Sequence, residues 1–399
     1  MNPLDNPFSP GAGSPPPELV GRDLLLERTT ITLHRLRAGR PAKSLIFVGL
    51  RGVGKTVMLN RVRMIAIEQG YRAVHLEARE GKALPQLLVP SLRQILFQLD
   101  AAAVVSEKVK RGFRVLRSFA GALTAKAKMG DVEIELGVDP ERGSGDSGDL
   151  ETDLAELFAA VGQAAADRST AIALCLDEMQ YLSELELSAL IMAMHRCSQD
   201  ALPVALFGAG LPQVVGLAGR SKSYAERLFD YPIIGPLPLD DVRDALQAPV
   251  QKQGADFADE AVATLFQATH GYPYFVQQWA YEAWNIAIGP TISNSDVDEA
   301  TRTSVAELDR SFFRVRFDRL TPREKDYLRA LAALGEDDMP QRSGDIAIAL
   351  RARPQSVAPL RNGLIKKGMI YSPAHGDVAF TVPLFGDFMR RAMPHWEVK

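Results

Sequence analysis

One run of residues points to phosphate chemistry. Gly49-Leu-Arg-Gly-Val-Gly54-Lys55-Thr56 satisfies the pattern GxxxxGK[ST] at every required position. It follows the apolar run SLIFVGL (44–50) and precedes the helical stretch KTVMLNRVRMIAIEQG, the strand–loop–helix context that this pattern needs. Gly49, Gly52 and Gly54 let the backbone curl so that successive N–H groups face a phosphate, and the helix N-terminus adds partial positive charge. Val53 and Val57 complete the nucleotide-binding set around them. Lys55 is expected to reach the β- and γ-phosphates of ATP, and Thr56 to hold Mg²⁺.

A second group is Asp177-Glu178, which ends the apolar strand in LCLDE. Asp177 is expected to hold the magnesium through water, and Glu178 to orient and activate the attacking water. An acidic pair at a strand end is weak evidence alone. Downstream of a P-loop it points to ATP hydrolysis, with water rather than a second substrate as acceptor.

A third group is basic. RARPQSVAPLRNGLIKKG (351–368) holds Arg351, Arg353, Arg361, Lys366 and Lys367 without an acid. Gln355, Arg361, Asn362 and Lys366 are candidates for contacts to DNA phosphates or base edges, with Val357, Leu360, Leu364 and Ile365 turned to the core. Ser356 as N-cap places Pro359 in the first turn, where its missing N–H matters little. Gly363 weakens a helix meant to lie rigidly in a groove, so packing or a protein-partner role stands beside DNA contact.

The elements that position these residues alternate. SLIFVGL (44–50), YRAVHLEA (71–78), TAIALCLDE (170–178), LPVALFGAG (202–210) and DYPIIGPLP (230–238) read as strands separated by helices. Continuous apolar runs of this kind imply a parallel sheet covered on both faces. An insertion over 90–150 contains a helix-prone stretch and MGDVEIELGVDP, which alternates like a short strand or hairpin; Asp149 is a candidate cap for the helix that follows. The stretch 106–129 is basic (Lys108, Lys110, Arg111, Arg114, Arg117, Lys126, Lys128 against Glu107), either a solvated helix face or a docking face for nucleic acid or an acidic partner. Residues 239–315 read as four helices. Residues 316–399 read as three helices, the first capped by Thr321 with Pro322 at its first position, and then two strands around a Gly-containing turn, the winged-helix order. Residues 1–19, with Pro15, Pro16 and Pro17, read as a disordered tail or as a strap across the domain that begins near Val20.

Composition excludes several classes. With 46% hydrophobic and 24% charged residues the chain can bury an ordinary core, and a net charge of −3 argues against wholesale nucleic-acid binding while leaving room for a local basic face. Cys175 and Cys197 are the two cysteines, too few and too far apart for a disulfide framework or zinc site. No apolar run reaches the ~20 residues of a membrane span, and the N-terminus is no signal peptide. A cytoplasmic protein without membrane attachment is expected.

The chain resembles the AAA+/STAND group of P-loop ATPases, and within it the ATPases of archaea and bacteria related to archaeal origin-recognition initiators. ELVGRDLLLE (18–27), the P-loop, LCLDEMQ, FGAGLP (207–212) and THGYPYFVQ (269–277) carry the resemblance over about 18–310. It implies an α/β fold: a parallel-sheet P-loop core over 20–238, a helical lid over 239–315 and a winged-helix domain over 316–399. It also implies that Val20, Gly21 and Arg22 line the adenine pocket, and that Gly271-Tyr272-Pro273 packs on the nucleotide. Homo-oligomerisation follows from the resemblance alone, whereas a protein or DNA partner rests also on the basic stretches 106–129 and 351–368. The chain departs from the group at two points. The fourth strand ends in Phe207-Gly208-Ala209-Gly210, without the polar sensor, and no sensor arginine stands beside Gly271. Slow hydrolysis or a conformational switch is therefore expected rather than a motor. Arg227, with Arg220 in reserve, is the candidate arginine finger; a surface arginine in an ordinary ion pair is the other reading.

Overall fold

The computed structural model describes residues 1–11, 13, 16–100, 106–127, 139–223, 225–335 and 339–396, with side chains of 123–127 left aside. The expected strand or hairpin within 129–140 and Lys128 lie outside these residues, apart from Asp139 and Pro140. The chain divides into two units, one made of Met1–Asp23, Gly49–Val57 and Ile234–Lys399, the other of Leu24–Val48 and Met58–Ile233.

The second unit is built on a five-stranded parallel sheet. Its strands are β1 (Ser44–Val48), β2 (Tyr71–Glu77), β3 (Ala171–Asp177), β4 (Val204–Gly210) and β5 (Phe229–Asp230), in the order β2-β3-β4-β1-β5. Every residue of β1, β3 and β4 is buried, as their unbroken apolar runs require when helices cover both faces. β5 is shorter and earlier than expected: Pro232 has no N–H to give a ladder, and the pairing fades into a single bridge between Val48 and Ile233. The segment after β2 forms two helices, Leu84–Asp100 and Glu107–Ala127, and the next, Leu150–Asp167, is capped by the Asp149 carboxylate accepting from the Thr152 N–H at 3.0 Å. The basic stretch is only partly solvated. Arg111 and Arg114 both face Glu141, at 3.0 and 3.7 Å, and Val109, Phe113 and Leu116 on the same helix are buried.

In the first unit the helices Leu239–Gln251, Asp259–Thr269, Pro273–Ile286 and Asn294–Arg310 follow one another as expected, but the last breaks at Ser311 and a separate helix runs Phe312–Asp318. Two short strands absent from the sequence reading, β6 (Asp256–Phe257) and β7 (Thr291–Ile292), pair in parallel among these helices. The N-terminal segment is laid down on them. The Asn6 amide donates to Tyr281 O at 3.0 Å, the Trp284 indole donates to Asn2 O at 2.9 Å, and Phe8 is buried edge-on to Phe257.

The C-terminal part carries the helices Pro322–Leu334, Ser343–Ala349 and Pro354–Lys366 and an antiparallel sheet of β8 (Gln341–Arg342), β9 (Ile370–Tyr371) and β10 (Asp377–Phe380), ordered β8-β10-β9. The Thr321 cap is as expected, a full capping box with Glu324. The helix over 354–366 is not capped by Ser356. It starts earlier, with Arg353 at the cap and Pro354 in the first position that favours proline, which leaves Pro359 inside the helix. Val357 and Leu364 are buried, while Leu360 and Ile365 are only half-buried. Among the described residues no helix is long and apolar enough to cross a membrane.

Both cysteines are free and buried, and burial pushes each thiol up to about 12. At pH 8 that leaves about one thiol in 10⁴ ionised. Iodoacetamide at pH 8 is expected to spare both cysteines in the native chain and to modify both after unfolding in urea. Mass spectrometry showing rapid native labelling of either would place that thiol at the surface.

Candidate functional site

The parallel pairing puts the carboxyl ends of β1, β4 and β3 on one edge of the sheet, with β4 between the other two. The chain leaves β1 at Val48 into the loop 49–54, and the helix Lys55–Glu68 starts directly after it. The glycines of the loop meet real constraints. Gly52 and Gly54 have φ of 83° and 90°, and a Cβ on Gly49 would overlap the Ile234 carbonyl.

The loop is held by its own unit at three points. The Arg22 guanidinium donates to Val53 O at 3.3 Å and to Gly235 O at 2.7 Å, which joins the loop to the chain entering the helices after 238. Burial lowers the pKa of Arg22, while the nearby Asp241 carboxylate raises it. The Tyr274 N–H donates to Gly52 O at 3.1 Å, and the Arg51 N–H donates to Thr381 O at 2.9 Å, just beyond β10. Lys55 is buried, and its ammonium donates to Gly49 O at 3.0 Å and Leu50 O at 2.7 Å. Gly13 brings the N-terminal segment against Thr56, whose methyl a Cβ at Gly13 would meet at 3.3 Å.

Val20 and Gly21 form the turn that precedes the helix Asp23–Arg37. Tyr272 caps the helix that Pro273 begins, and its ring is buried edge-on to Phe275. The turn is anchored through Gly271, whose carbonyl accepts from the Leu237 N–H at 2.8 Å. Within the first unit, then, the structure brings together the 20–22 turn, the P-loop and the 271–274 turn.

In the second unit Asp177 ends β3 and is buried, with its carboxylate accepting from the Glu178 N–H at 2.8 Å. Glu178 sits at φ 54°, in the left-handed region that a non-glycine residue seldom adopts. Its carboxylate accepts from the Gln180 side-chain amide, and the same amide's oxygen accepts from the Leu211 N–H at 3.1 Å just past β4. Gln180 was not singled out from the sequence, since no pattern requires an amide two residues after the acidic pair. It stands where β4 itself offers nothing polar. A Cβ on Gly208 would overlap Met179 Sδ, and one on Gly210 would come within 2.6 Å of Val214 and 3.1 Å of Gln180 Oε1. No polar side chain extends from β4 because Met179 and Gln180 already fill the space.

Arg227 lies elsewhere. It is exposed in the short helix Ala225–Leu228, beside a cavity of about 190 Å³ at the amino ends of β1 and β4 that is also lined by Lys43, Ser44 and Val204. The seven residues of β4 separate that end from the Asp177 edge, a rise of about 20 Å. Within one chain Arg227 does not share an edge of the sheet with Glu178. Of the basic helix residues, Gln355, Asn362 and Lys366 are exposed, but Arg361 is not: it is half-buried, and its guanidinium donates to Ser372 Oγ at 2.8 Å.

The donor set fits nucleotide with magnesium. Among the described residues no group of three or more His, Cys, Asp or Glu side chains can hold a metal, so a divalent cation bound with nucleotide would take most of its ligands from phosphate oxygens and water, the usual state of Mg²⁺.

The β4 glycines test the packing argument. Gly208→Ser is expected to cost about 1–3 kcal/mol through overpacking against Met179, and Met179→Ala in the same chain is expected to restore part of it. Equal melting temperatures for wild type and Gly208→Ser would show that the space is not filled.

The sequence profile of the AAA ATPase domain matches residues 18–207, and that of a domain of unknown function (DUF8462) matches 310–389. No curated protein matches the chain. Among solved structures, the Walker-type ATPase of Pyrococcus abyssi is similar at 16% identity and a TM-score of 0.54, over 93% of this chain and 96% of that one. The ORC1 protein of Aeropyrum pernix in complex with DNA shares 14% identity over 94% of each chain, at a TM-score of 0.46. The Holliday junction branch migration motor RuvB of Thermotoga maritima shares 14% over 95% of this chain and 96% of that one, at 0.43. Residues 18–207 match the AAA ATPase domain, and the chain has the fold of a P-loop ATPase.

Proposed function

We propose that this ATPase works as a slow, nucleotide-driven switch, in which a core over 20–238 and a helical lid over 239–315 hold ATP and a winged-helix domain over 316–399 presents the result to a partner. The observation that carries the reading is the closed path from the P-loop back to itself. From Gly52, the Tyr274 N–H bond leads to the Tyr274 ring, which stacks on Phe312 at 5.0 Å. Phe312 meets Phe313 at 5.2 Å, Phe313 meets Phe388 at 5.3 Å, Phe388 meets Phe385 at 5.4 Å and Phe385 meets Phe380 at 5.9 Å. Phe380 precedes Thr381, whose carbonyl takes the Arg51 N–H of the P-loop. A phosphate drawing on the loop's N–H groups competes for Arg51, and any movement there is delivered to packed aromatic rings rather than to solvent. A ligand shifts such an equilibrium only by its differential affinity for the two states, and here the contested group is a named N–H.

In this reading Lys55 exchanges the carbonyls of Gly49 and Leu50 for the β- and γ-phosphates, and the P-loop N–H groups cradle the chain of phosphates. Magnesium, held by Thr56 and Asp177, would neutralise charge on the phosphate oxygens. Glu178 accepts a proton from the attacking water once it parts from the Gln180 amide. Arg227, placed at the far end of β4, would serve as a finger only from a neighbouring copy of the chain, which makes activity dependent on oligomerisation.

The exposed Gln355, Asn362 and Lys366 favour a second reading, in which the helix Pro354–Lys366 touches duplex DNA and the protein is an initiator-like or transposition-helper ATPase. One set of measurements separates the two: ATP turnover with and without duplex DNA for wild type, Glu178→Gln and Lys55→Ala, together with limited proteolysis of the C-terminal part with and without ATP. Glu178→Gln is expected to lower turnover by about 10²–10⁴-fold, and Lys55→Ala to abolish nucleotide binding. Phe312→Ala is expected to bind nucleotide while its proteolytic pattern stops responding to it. DNA-stimulated, salt-sensitive turnover would favour the second reading. A Phe312→Ala protein that responds to ATP as wild type does would remove the aromatic path.

A further inference from the structure

The helices Pro322–Leu334, Ser343–Ala349 and Pro354–Lys366 and the turn between β9 and β10 line a cleft of about 260 Å³, open to solvent past Pro354, Ala358 and His375 and large enough for a small metabolite. Its walls are of two kinds. Pro354, Val357 and Ala358 supply an apolar side. Tyr327, Ser343, Arg361, Ser372 and His375 supply the polar one; the Tyr327 and Ser343 hydroxyls face each other, and Arg361 Nε is a buried donor without an acceptor among the described residues. Buried polar atoms are nearly always satisfied, because an unmet donor in a dry site is destabilising. One bond between the two hydroxyls uses only one of their protons, and the other, beside the unmet Arg361 Nε, asks for an acceptor from a ligand.

All three atoms are suited to give protons. The guanidinium is permanently charged and has only donors. Burial raises the pKa of Tyr327, more than offsetting the lowering by Arg361 and Ser343, so the phenol stays protonated at neutral pH. The Ser343 hydroxyl turns freely to donate. Donors that converge beside a positive charge match an anion with several lone pairs, and the facing apolar wall matches a hydrocarbon body.

We infer that this cleft is a binding site for a small organic acid, whose carboxylate takes the bonds of Arg361, Tyr327 and Ser343 and whose apolar body lies against Val357 and Ala358. The ligand acts on the domain through Arg361. The same guanidinium that would hold the carboxylate ties the exposed helix to the β9–β10 turn through Ser372 Oγ at 2.8 Å. Binding would then set how that helix, with Gln355, Asn362 and Lys366 on its surface, is presented. The site stands apart from the nucleotide chemistry and does not depend on the switch reading.

The test uses the full chain at constant ionic strength, titrated with benzoate and with butyrate, with benzamide as the uncharged counterpart of benzoate and inorganic phosphate as the competing anion. Calorimetry is expected to show saturable binding of at least one carboxylate and none of benzamide. Affinity is expected to fall about tenfold or more in Tyr327→Phe and in Arg361→Gln, the loss of a charge-assisted bond each. Tyr327→Phe keeps the buried ring and removes only the hydroxyl that faces Ser343, so its melting temperature stays near the native one and it keeps the test valid if Arg361→Gln fails to fold. No saturable binding of either carboxylate overturns the inference, as does unchanged affinity in Tyr327→Phe. Binding of phosphate in preference to both carboxylates replaces the organic acid with a phosphate ligand and overturns the assignment made here.

Discussion

Two main-chain hydrogen bonds on the P-loop hold the rest of the first unit to its chemistry: Gly52 O accepts from Tyr274, and the Arg51 N–H donates to Thr381. Neither depends on a side chain, so neither announces itself in sequence. Both engage groups that a phosphate-binding loop keeps for its ligand or for its own turn. A loop whose backbone is shared in this way cannot rearrange without disturbing residues more than 200 positions further along the chain. The aromatic rings from Tyr274 to Phe380 make that disturbance costly to absorb locally, because close-packed rings move as a set.

The acidic end of β3 obeys a different constraint, one of space. Gly208 and Gly210 leave β4 without side chains on the positions where a polar group would reach the sheet edge, and Met179 and Gln180 occupy that volume instead. The polar function has moved from β4 to the residue two places beyond Glu178. Its amide holds the Glu178 carboxylate with one end and the Leu211 N–H with the other. Glu178 is thereby fixed in a left-handed backbone and a bonded side chain.

The C-terminal part shows how burial reassigns a charged residue. Arg361 reads from sequence as one more cation in a basic helix, equal to Lys366. The structure turns it inward, to Ser372 and to the cleft it shares with Tyr327, while Gln355, Asn362 and Lys366 stay outside. The shift follows from helical spacing: Arg361 stands four residues after the buried Val357 and three before the buried Leu364, on the same face of the helix.

The order and type of the main elements were legible in the sequence, because they rest on local facts. Apolar runs between turn residues mark buried strands, Thr321-Pro322 marks a helix start, and GxxxxGKT between a strand and a helix marks a phosphate loop. Short features were not legible. The two-residue pairing of β6 with β7 and the break at Ser311 carry no period long enough to read, and Pro232 shortens a strand that composition alone extends. The candidate site divides the same way. The sequence by itself determined which residues have the types and spacing that suit phosphate, metal and water, since that pattern is written at fixed intervals along the chain. Only the tertiary structure decided that Gln180 joins the Glu178 carboxylate to the Leu211 N–H, that Arg227 lies a strand's length from Glu178, and that Thr381 and Tyr274 share the P-loop backbone. Those relations join residues far apart in sequence through main-chain groups and filled volume, which leave no pattern in the order of the amino acids.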